Sequence, residues 1–503
     1  MNTNTKIAKE SAISFSGMGF GQLLRYLFTT LLARWAGVEL LGIYSISNAV
    51  TRIFEVIGKL GLDQGTLRGV SREKEDSEKQ SIILSALKMG AISGLLSMLV
   101  QIALAGWLSE NVFHESSLLM KVIAIHALSL PFYIIIHISA NSTQAYKLLK
   151  YKIFVTEFQN PLILLLAMIV CHFVYSAESA IIIPVVIAAV LGFLTISLFL
   201  KQVSGVNILS VQKGVIDKDL LNYSLPIMFM AILATFLHWT DIIMLGYFTD
   251  TTTVGLYHPA VRTAGIVRIV LLSFSSIYGP IIAEMYTRKQ SGEMSHVFKL
   301  VTRWIITFAL PFAILILLYP KKVMLIFGSE FINGYPILMI LVTAAFIQAV
   351  FGIGGTTLNM TSFPKINLIN TFIACGLNIC LNIILIPKMG GKGAAFSTLI
   401  TLGFISLIRG FQNWKLLQLI PFSWKLIKPI CAGIIAVGSG YFLKIFIMPY
   451  HTVLTLLCAG FIIFGVFFTV LWLFGLDEDD NGLLAGIRII LDNFKSTQTS
   501  VKK

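Results

Sequence analysis

The sequence predicts an all-α polytopic membrane protein with about 14 transmembrane helices, counted as stretches able to cross a bilayer. Three observations carry this prediction. The 503 residues are 56% hydrophobic and only 12% charged, with a mean hydropathy of +0.84, too little polar surface to cover a water-soluble body of this size. Apolar stretches recur from end to end, among them Ala91–Leu108, Leu162–Val174, Ala180–Leu200, Ile305–Leu318 and Val453–Phe474. The period-two alternation of a membrane β-barrel is absent from them, so helices must satisfy the backbone.

Taken in order, the expected spans are 12–33, 39–62, 82–106, 118–140, 153–175, 178–200, 223–246, 254–283, 299–319, 335–358, 367–387, 392–412, 428–448 and 451–474. Their connections alternate in charge. With a cytoplasmic N-terminus, the inner loops hold Arg68, Arg72, Lys74 and Lys79, then Lys147, Lys150 and Lys152, then Lys201, Lys213 and Lys218. Arg288, Lys289, Lys299, Lys415, Lys425 and Lys428 continue the series, whereas the outer loops hold few cations. This bias predicts cytoplasmic N- and C-termini in a cytoplasmic (inner) membrane. It also accounts for the net charge of +14 without nucleic acid as a partner. The five cysteines, Cys171, Cys375, Cys380, Cys431 and Cys458, fall in apolar spans without a C-x-x-C pair and read as small core residues. No cleavable leader is expected, because Lys6 and Lys9 precede a full-length first span.

An internal repeat is visible. Gly42-Ile43-Tyr44 after the first span matches Gly255-Leu256-Tyr257 after the seventh, and Asn141-Ser-Thr143 resembles Asn359-Met-Thr361 at a similar offset. Duplicated halves around a cavity are a transporter architecture. The expected organisation is a six-helix lobe over 1–200, a cytoplasmic linker over 201–222 and a pseudo-symmetric six-helix lobe over 223–415. Two additional helices follow over 416–476, then an amphipathic cytoplasmic tail over 477–503 with Leu483, Leu484, Ile487, Ile490 and Leu491 at helical spacing.

Three stretches resemble the polysaccharide (O-antigen type) flippases of the multidrug/oligosaccharidyl-lipid/polysaccharide exporter superfamily. They are Gly61-Leu-Asp-Gln-Gly-Thr-Leu-Arg68, Asp241-Ile-Ile-Met-Leu-Gly-Tyr-Phe248 with Val254-Gly-Leu-Tyr257, and Leu358-Asn-Met-Thr-Ser-Phe-Pro-Lys365 continuing through Asn378 and Asn382 to Gly393-Ala-Ala395. The resemblance implies two six-span lobes with two further spans and alternating access. It also implies translocation of a polyprenyl-pyrophosphate-linked oligosaccharide across the cytoplasmic membrane. The expected partners are that lipid-linked glycan, membrane lipid and other polysaccharide-assembly proteins, around a chain expected to be a monomer.

Ionisable residues inside spans indicate mechanism, since a charge at mid-bilayer costs about 2.5–3.5 kcal/mol on insertion scales and faces a wet interior. Gln22, Arg25 and Thr29 share a helical face, as do Arg52, Glu55 and Lys59, and the eighth span adds Arg262 and Arg268. Arg25, Arg52, Arg262 and Arg268 are the candidate cationic cavity, because guanidinium holds two pyrophosphate oxygens at once. The resemblance to lipid II flippases carries the cavity role to Arg25, Arg52 and Arg262; Arg268 rests on the general argument. The plainer alternative neutralises Arg52 with Glu55. A second constellation, Asp241, Asn378, Asn382 and Thr398, offers one carboxylate with amide and hydroxyl oxygens, a set suited to a hard monovalent cation. Similarity to lipid II flippases supports Na⁺ there, with H⁺ left open as the coupling ion. The plainer reading makes the asparagines interhelical glue. His126, His137 and Glu157 read as isolated polar groups, and His238 as a packed histidine.

No cofactor is expected, and no G-x-x-x-x-G-K-[ST] loop is present to make ATP the direct energy source. The chain is not expected to be an enzyme: an integral membrane glycosyltransferase would need a large outer loop or a carboxylate pair. The alternative function is a multidrug and toxin extrusion antiporter of the same superfamily, which would favour acidic cavity residues over Arg.

Overall fold

The computed structural model describes residues 3–115, 117–446 and 452–475. The expected amphipathic tail lies outside these residues. All regular structure among the described residues is helical. Five helices lead the chain: α1 (Thr3–Lys59), α2 (Leu62–Arg72), α3 (Asp76–Trp107), α4 (Ser117–Ala127) and α5 (Leu130–Ala145). Next come α6 (Leu149–Ile153), α7 (Asn160–Val174), α8 (Ala177–Ser204), α9 (Lys218–Phe248) and α10 (Thr251–Thr287). Then follow α11 (Ser291–Leu318), α12 (Pro320–Leu325), α13 (Tyr335–Phe351) and α14 (Ile353–Met360). The last four are α15 (Pro364–Met389), α16 (Gly391–Leu417), α17 (Ile427–Phe446) and α18 (Thr452–Leu473).

Thirteen helical segments among the described residues are long and apolar enough to cross a membrane. The first of them does so twice. At 57 residues, α1 extends about 85 Å, far beyond a hydrocarbon core of about 30 Å. It breaks at Gly37, whose φ of 79° and ψ of −177° are non-helical and which glycine adopts without steric cost. The break falls between the two spans expected at 12–33 and 39–62, so the count of about 14 holds.

Other interruptions follow from proline and the π-helical turn. Pro131 and Pro161 stand in the first turns of α5 and α7, where a missing N–H costs nothing, so the fourth span is α4 followed by α5. Pro184, Pro226 and Pro311 sit inside α8, α9 and α11. Between α6 and α7, Phe154–Gln159 forms a π-helical turn, a widening that often marks a functional position.

The chain forms two compact units. The first contains Met1–Ala264, Met324–Leu341 and Ile369–Thr401; the second contains Gly265–Val323, Val342–Leu368 and Leu402–Lys503. Within the first, α5 packs against α2, α3 and α8, and α1 packs against α3 and α9. The segment after α8 is pinned to α3. Lys88 Nζ donates to the carbonyls of Gln212 and Gly214, and the Asp217 N–H donates to Ser85 Oγ. Asp217 then caps α9 by accepting from the Asp219 and Leu220 N–H groups. Within the second unit, α11, α17 and α18 share a core of Ile314, Ala432, Ala436, Ala459, Ile463 and Phe467. Tyr319 Oη donates to the Gly440 carbonyl at 2.6 Å.

The cysteines are free, but the expectation of five core residues is corrected. Only Cys171 and Cys375 are buried, Cys431 and Cys458 are half-buried and Cys380 is exposed. A small apolar residue in a span serves equally well against lipid, so membrane location does not imply burial.

The repeated Gly-x-Tyr motifs meet each other inside the first unit. A Cβ on Gly42 would lie 1.9 Å from the Thr251 carbonyl oxygen, and one on Gly255 would lie 2.0 Å from the Val38 carbonyl oxygen. Each glycine thus receives the backbone four residues before its counterpart, a reciprocal close crossing of α1 and α10 that only residues without side chains allow.

Candidate functional site

In the first unit, the segment of α1 before its break runs beside the π-turn and α7 in the same direction. Gly17 backs onto Ile153 and Gly21 onto Glu157, while Trp35 stacks on His172 with ring centroids 4.8 Å apart. First and fifth spans must run parallel if each passage reverses the last. The absent side chain of Gly21 admits the π-turn so closely that an added Cβ would lie 2.3 Å from the Glu157 carbonyl oxygen. One turn further along α1, Arg25 takes advantage of this approach. Its two terminal nitrogens donate to Glu157 Oε2, each at 3.0 Å, and Nη2 also donates to the Thr156 carbonyl at 3.2 Å.

Past the break, α1 carries a second polar group. Glu55 is 2% exposed and accepts from three cationic or potentially cationic side chains. Arg52 Nη1 is 2.5 Å from Oε2, while Lys59 Nζ and His137 Nε2 each lie 3.2 Å from Oε1. Arg52 keeps 36% of its side chain exposed, and its guanidinium lies 5.2 Å from the centre of the Tyr133 ring.

Arg262 on α10 donates through Nε to His258 Nε2 at 3.4 Å. Arg25, Arg52 and Arg262 all belong to the first unit. Arg268 is exposed and falls in the second unit. Two carboxylates, Glu55 and Glu157, stand against Arg25, Arg52, Lys59 and Arg262. Cations therefore outnumber carboxylates among these bonded groups.

Glu157, His126 and His137, expected to be isolated, are all engaged. Glu157 holds Arg25, His137 joins Glu55, and His126 Nε2 lies 2.9 Å from the Ile181 carbonyl. Each partner lies on another helix, and sequence spacing carries no information about contacts between helices. His238 packs edge-on against Trp239.

The second constellation is assembled in full. Asp241 Oδ2 accepts from Thr398 Oγ1 at 2.5 Å and from Tyr257 Oη at 2.8 Å, and Oδ1 accepts from Asn382 Nδ2 at 2.8 Å. Asn382 also donates to Asn378 Oδ1 at 3.1 Å, and Ser397 Oγ donates to the Asn378 carbonyl. One polar atom is left over: Asn382 Oδ1 is buried without a hydrogen-bond partner. A buried acceptor without a donor beside a carboxylate is costly for an apolar helix contact, and it is what a bound cation would relieve. The oxygens of Asp241, Asn378, Asn382, Thr398 and Tyr257 are of the kind that could hold a hard monovalent ion.

Two buried tyrosines belong to the repeated motif without being marked by it as site residues. Tyr44 and Tyr257 are the matching third residues of the two Gly-x-Tyr repeats. They are 6% and 1% exposed respectively; Tyr44 packs against Phe28 and His126, while Tyr257 donates to the Asp241 carboxylate. The duplication was the available signal; their divergent roles were not readable from it.

Comparison with known proteins comes to the same part of the chain. The family model described as polysaccharide biosynthesis protein matches residues 7–286, and a second, described as MatE, matches residues 226–384. An uncharacterised membrane protein of Methanocaldococcus jannaschii is 26% identical over 303 residues, covering 59% of this chain and 58% of that protein. A probable low-salt glycan biosynthesis flippase, Agl15 of Haloferax volcanii, is 28% identical over 182 residues, 36% of this chain and 39% of the relative. The chain thus spans little more than half the length of the first of these relatives and well under half of the second. Among solved structures, the lipid II flippase MurJ in an inward closed conformation superposes with a TM-score of 0.73 at 16% identity, covering 92% of this chain and 98% of that one. At that identity the likeness establishes the fold.

Proposed function

The chain belongs to the polysaccharide biosynthesis protein family, and on that premise we propose that it is a flippase. It would carry a polyprenyl-pyrophosphate-linked oligosaccharide across the cytoplasmic membrane by alternating access, acting as a transporter and not as an enzyme. One observation carries the reading: in the first unit the spans that hold Arg25, Arg52, Lys59 and Arg262 set these four cations against two bonded carboxylates, Glu157 and Glu55, so that positive charge is in excess. A diphosphate offers the oxygens that such guanidiniums bind in pairs. The glycan then follows into water while the polyprenyl tail stays in lipid. The family resemblance and the flippase of Haloferax volcanii support the same direction.

The Asp241 set is the proposed coupling site, with Na⁺ favoured by its oxygen donors. Ion binding drives transport only if the ion has different affinities for the inward- and outward-open states. A drug antiporter of the MatE kind is disfavoured by the same positive excess, which repels cationic drugs. The charge bias of the loops supports cytoplasmic termini and an inner-membrane location.

The test is rescue of a strain lacking its lipid-linked glycan flippase, with drug sensitivity measured alongside. Arg25→Ala and Arg52→Ala are expected to abolish rescue, with protein levels measured alongside to separate loss of transport from loss of folding. Full rescue by both would overturn the cationic-site reading, and drug resistance without rescue would favour the antiporter.

A further inference from the structure

A groove of about 410 Å³ opens on the first unit between the start of α1, α6 with its π-turn, and the end of α8. Gly17 forms its floor, and Lys150, Tyr151, Phe154, Phe158 and Phe199 line it. The rings form a connected ladder. Phe20 stacks on Phe158 and Phe158 on Phe154, with centroids 5.3 and 5.6 Å apart. Phe199 meets Phe154 at 5.9 Å and Tyr151 at 4.7 Å. Lys150 Nζ then lies 4.8 Å from the Tyr151 ring centre.

This groove has a wet end and a dry end. Lys147, Lys150 and Lys201 are exposed where α6 begins and α8 ends, a connection whose charge marks the inner leaflet. Phe154 and Phe158 lie successive turns deeper on the same helical path. A cation at the interface above an apolar slot is the mirror of a phosphate-headed lipid: anion at the surface, one chain descending. The π-turn that supplies Phe154 and Phe158 also supplies Glu157, the partner of Arg25.

We propose that this groove is an inner-leaflet docking site for the phosphate-proximal part of a polyprenyl chain, with Lys150 at the phosphate. The inference rests on the flippase reading and adds a first station, before the headgroup reaches Arg25. Ring faces suit flat trisubstituted alkenes, which can lie parallel to them as aromatic neighbours do. A second groove, lined by Ile366, Leu407, Phe411 and Lys415 among others, lies at the corresponding step of the second repeat, the start of the eleventh span and the end of the twelfth. Among the rings of that lining only Phe411 appears, so it lacks the ladder and serves as an internal control.

The experiment measures binding of a long-chain polyprenyl monophosphate without glycan to the full chain in phosphatidylethanolamine vesicles. Phosphatidylglycerol and inorganic phosphate are the competitors. Phe158→Ala is expected to weaken binding roughly fivefold, the equivalent of an aromatic contact. Phe154→Leu, at a position 43% exposed where the fold is not at stake, is expected to weaken it less, and Phe411→Ala not at all. Lys150→Glu is expected to abolish the preference for the phosphate over the free polyprenol. Wild-type affinity in Phe158→Ala, Phe154→Leu and Lys150→Glu together overturns the groove while leaving the flippase reading standing. Equal competition by phosphatidylglycerol, or an equal loss in Phe411→Ala, overturns it in favour of a general lipid surface. Absence of any polyprenyl phosphate binding by the wild-type chain counts against both.

Discussion

Replacing Glu55 by glutamine removes the one negative charge shared by Arg52, Lys59 and His137 while keeping the side chain's size. The carboxylate is 2% exposed, with contacts of 2.5, 3.2 and 3.2 Å. Removing one partner of a buried ion pair typically costs about 3–5 kcal/mol. That figure is reduced here because Arg52 and His137 keep 36% and 28% of their side chains exposed and are partly screened by water. Lys59, at 15%, has less relief. A net loss of about 2–3 kcal/mol follows from weighing these. The assay is denaturant unfolding of the purified chain in detergent for the wild type, Glu55→Gln, Arg52→Gln and the double variant. The double variant should be more stable than the sum of the single effects by about 1 kcal/mol or more, because deleting Arg52 relieves the repulsion that Glu55→Gln creates. A single variant within about 0.5 kcal/mol of wild type, or strictly additive effects, would refute the reasoning.

Further outcomes follow from the other contacts. Asp241→Asn is expected to abolish the ion dependence of transport in a reconstituted flux assay; unchanged transport with unchanged ion dependence removes the coupling-ion proposal. Tyr257→Phe deletes one of three hydrogen bonds to that carboxylate, a loss of about 0.5–1.5 kcal/mol, and should shift the ion concentration giving half-maximal rate without abolishing transport. Gly42→Ala and Gly255→Ala place a methyl about 2 Å from a facing carbonyl oxygen. Overpacking of about 1–3 kcal/mol is expected for each, read as reduced folded yield and thermal midpoint, whereas Gly19→Ala, with nothing within 4 Å, should be silent.

Particular residues show how far local reading reaches. The Asp241 set was legible because Asn378 and Asn382 stand one turn apart on a helix and Asp241 and Thr398 lie at matching depths; bilayer thickness ties depth to sequence position. The link between Glu55 and its neighbours on α1 was legible for the same reason, since Arg52, Glu55 and Lys59 share a face of a single helix. The bond between Arg25 and Glu157 joins residues 132 positions apart. It depends on Gly21 letting the π-turn come close, and no periodicity announces a π-turn. The cysteines show the converse, because an apolar span has two sides and composition does not say which one meets lipid.

What the amino-acid order alone determined is the all-helical membrane-spanning class and the approximate number of crossings; the loop charges give the orientation that is proposed. Those follow from hydrophobic length and backbone hydrogen bonding, which act along one segment at a time. Tertiary structure alone decided which buried charge meets which, and that Tyr257 donates to the Asp241 carboxylate. Those outcomes depend on the rotation and register of one helix against another, set by side-chain packing over the whole chain rather than by any segment of it.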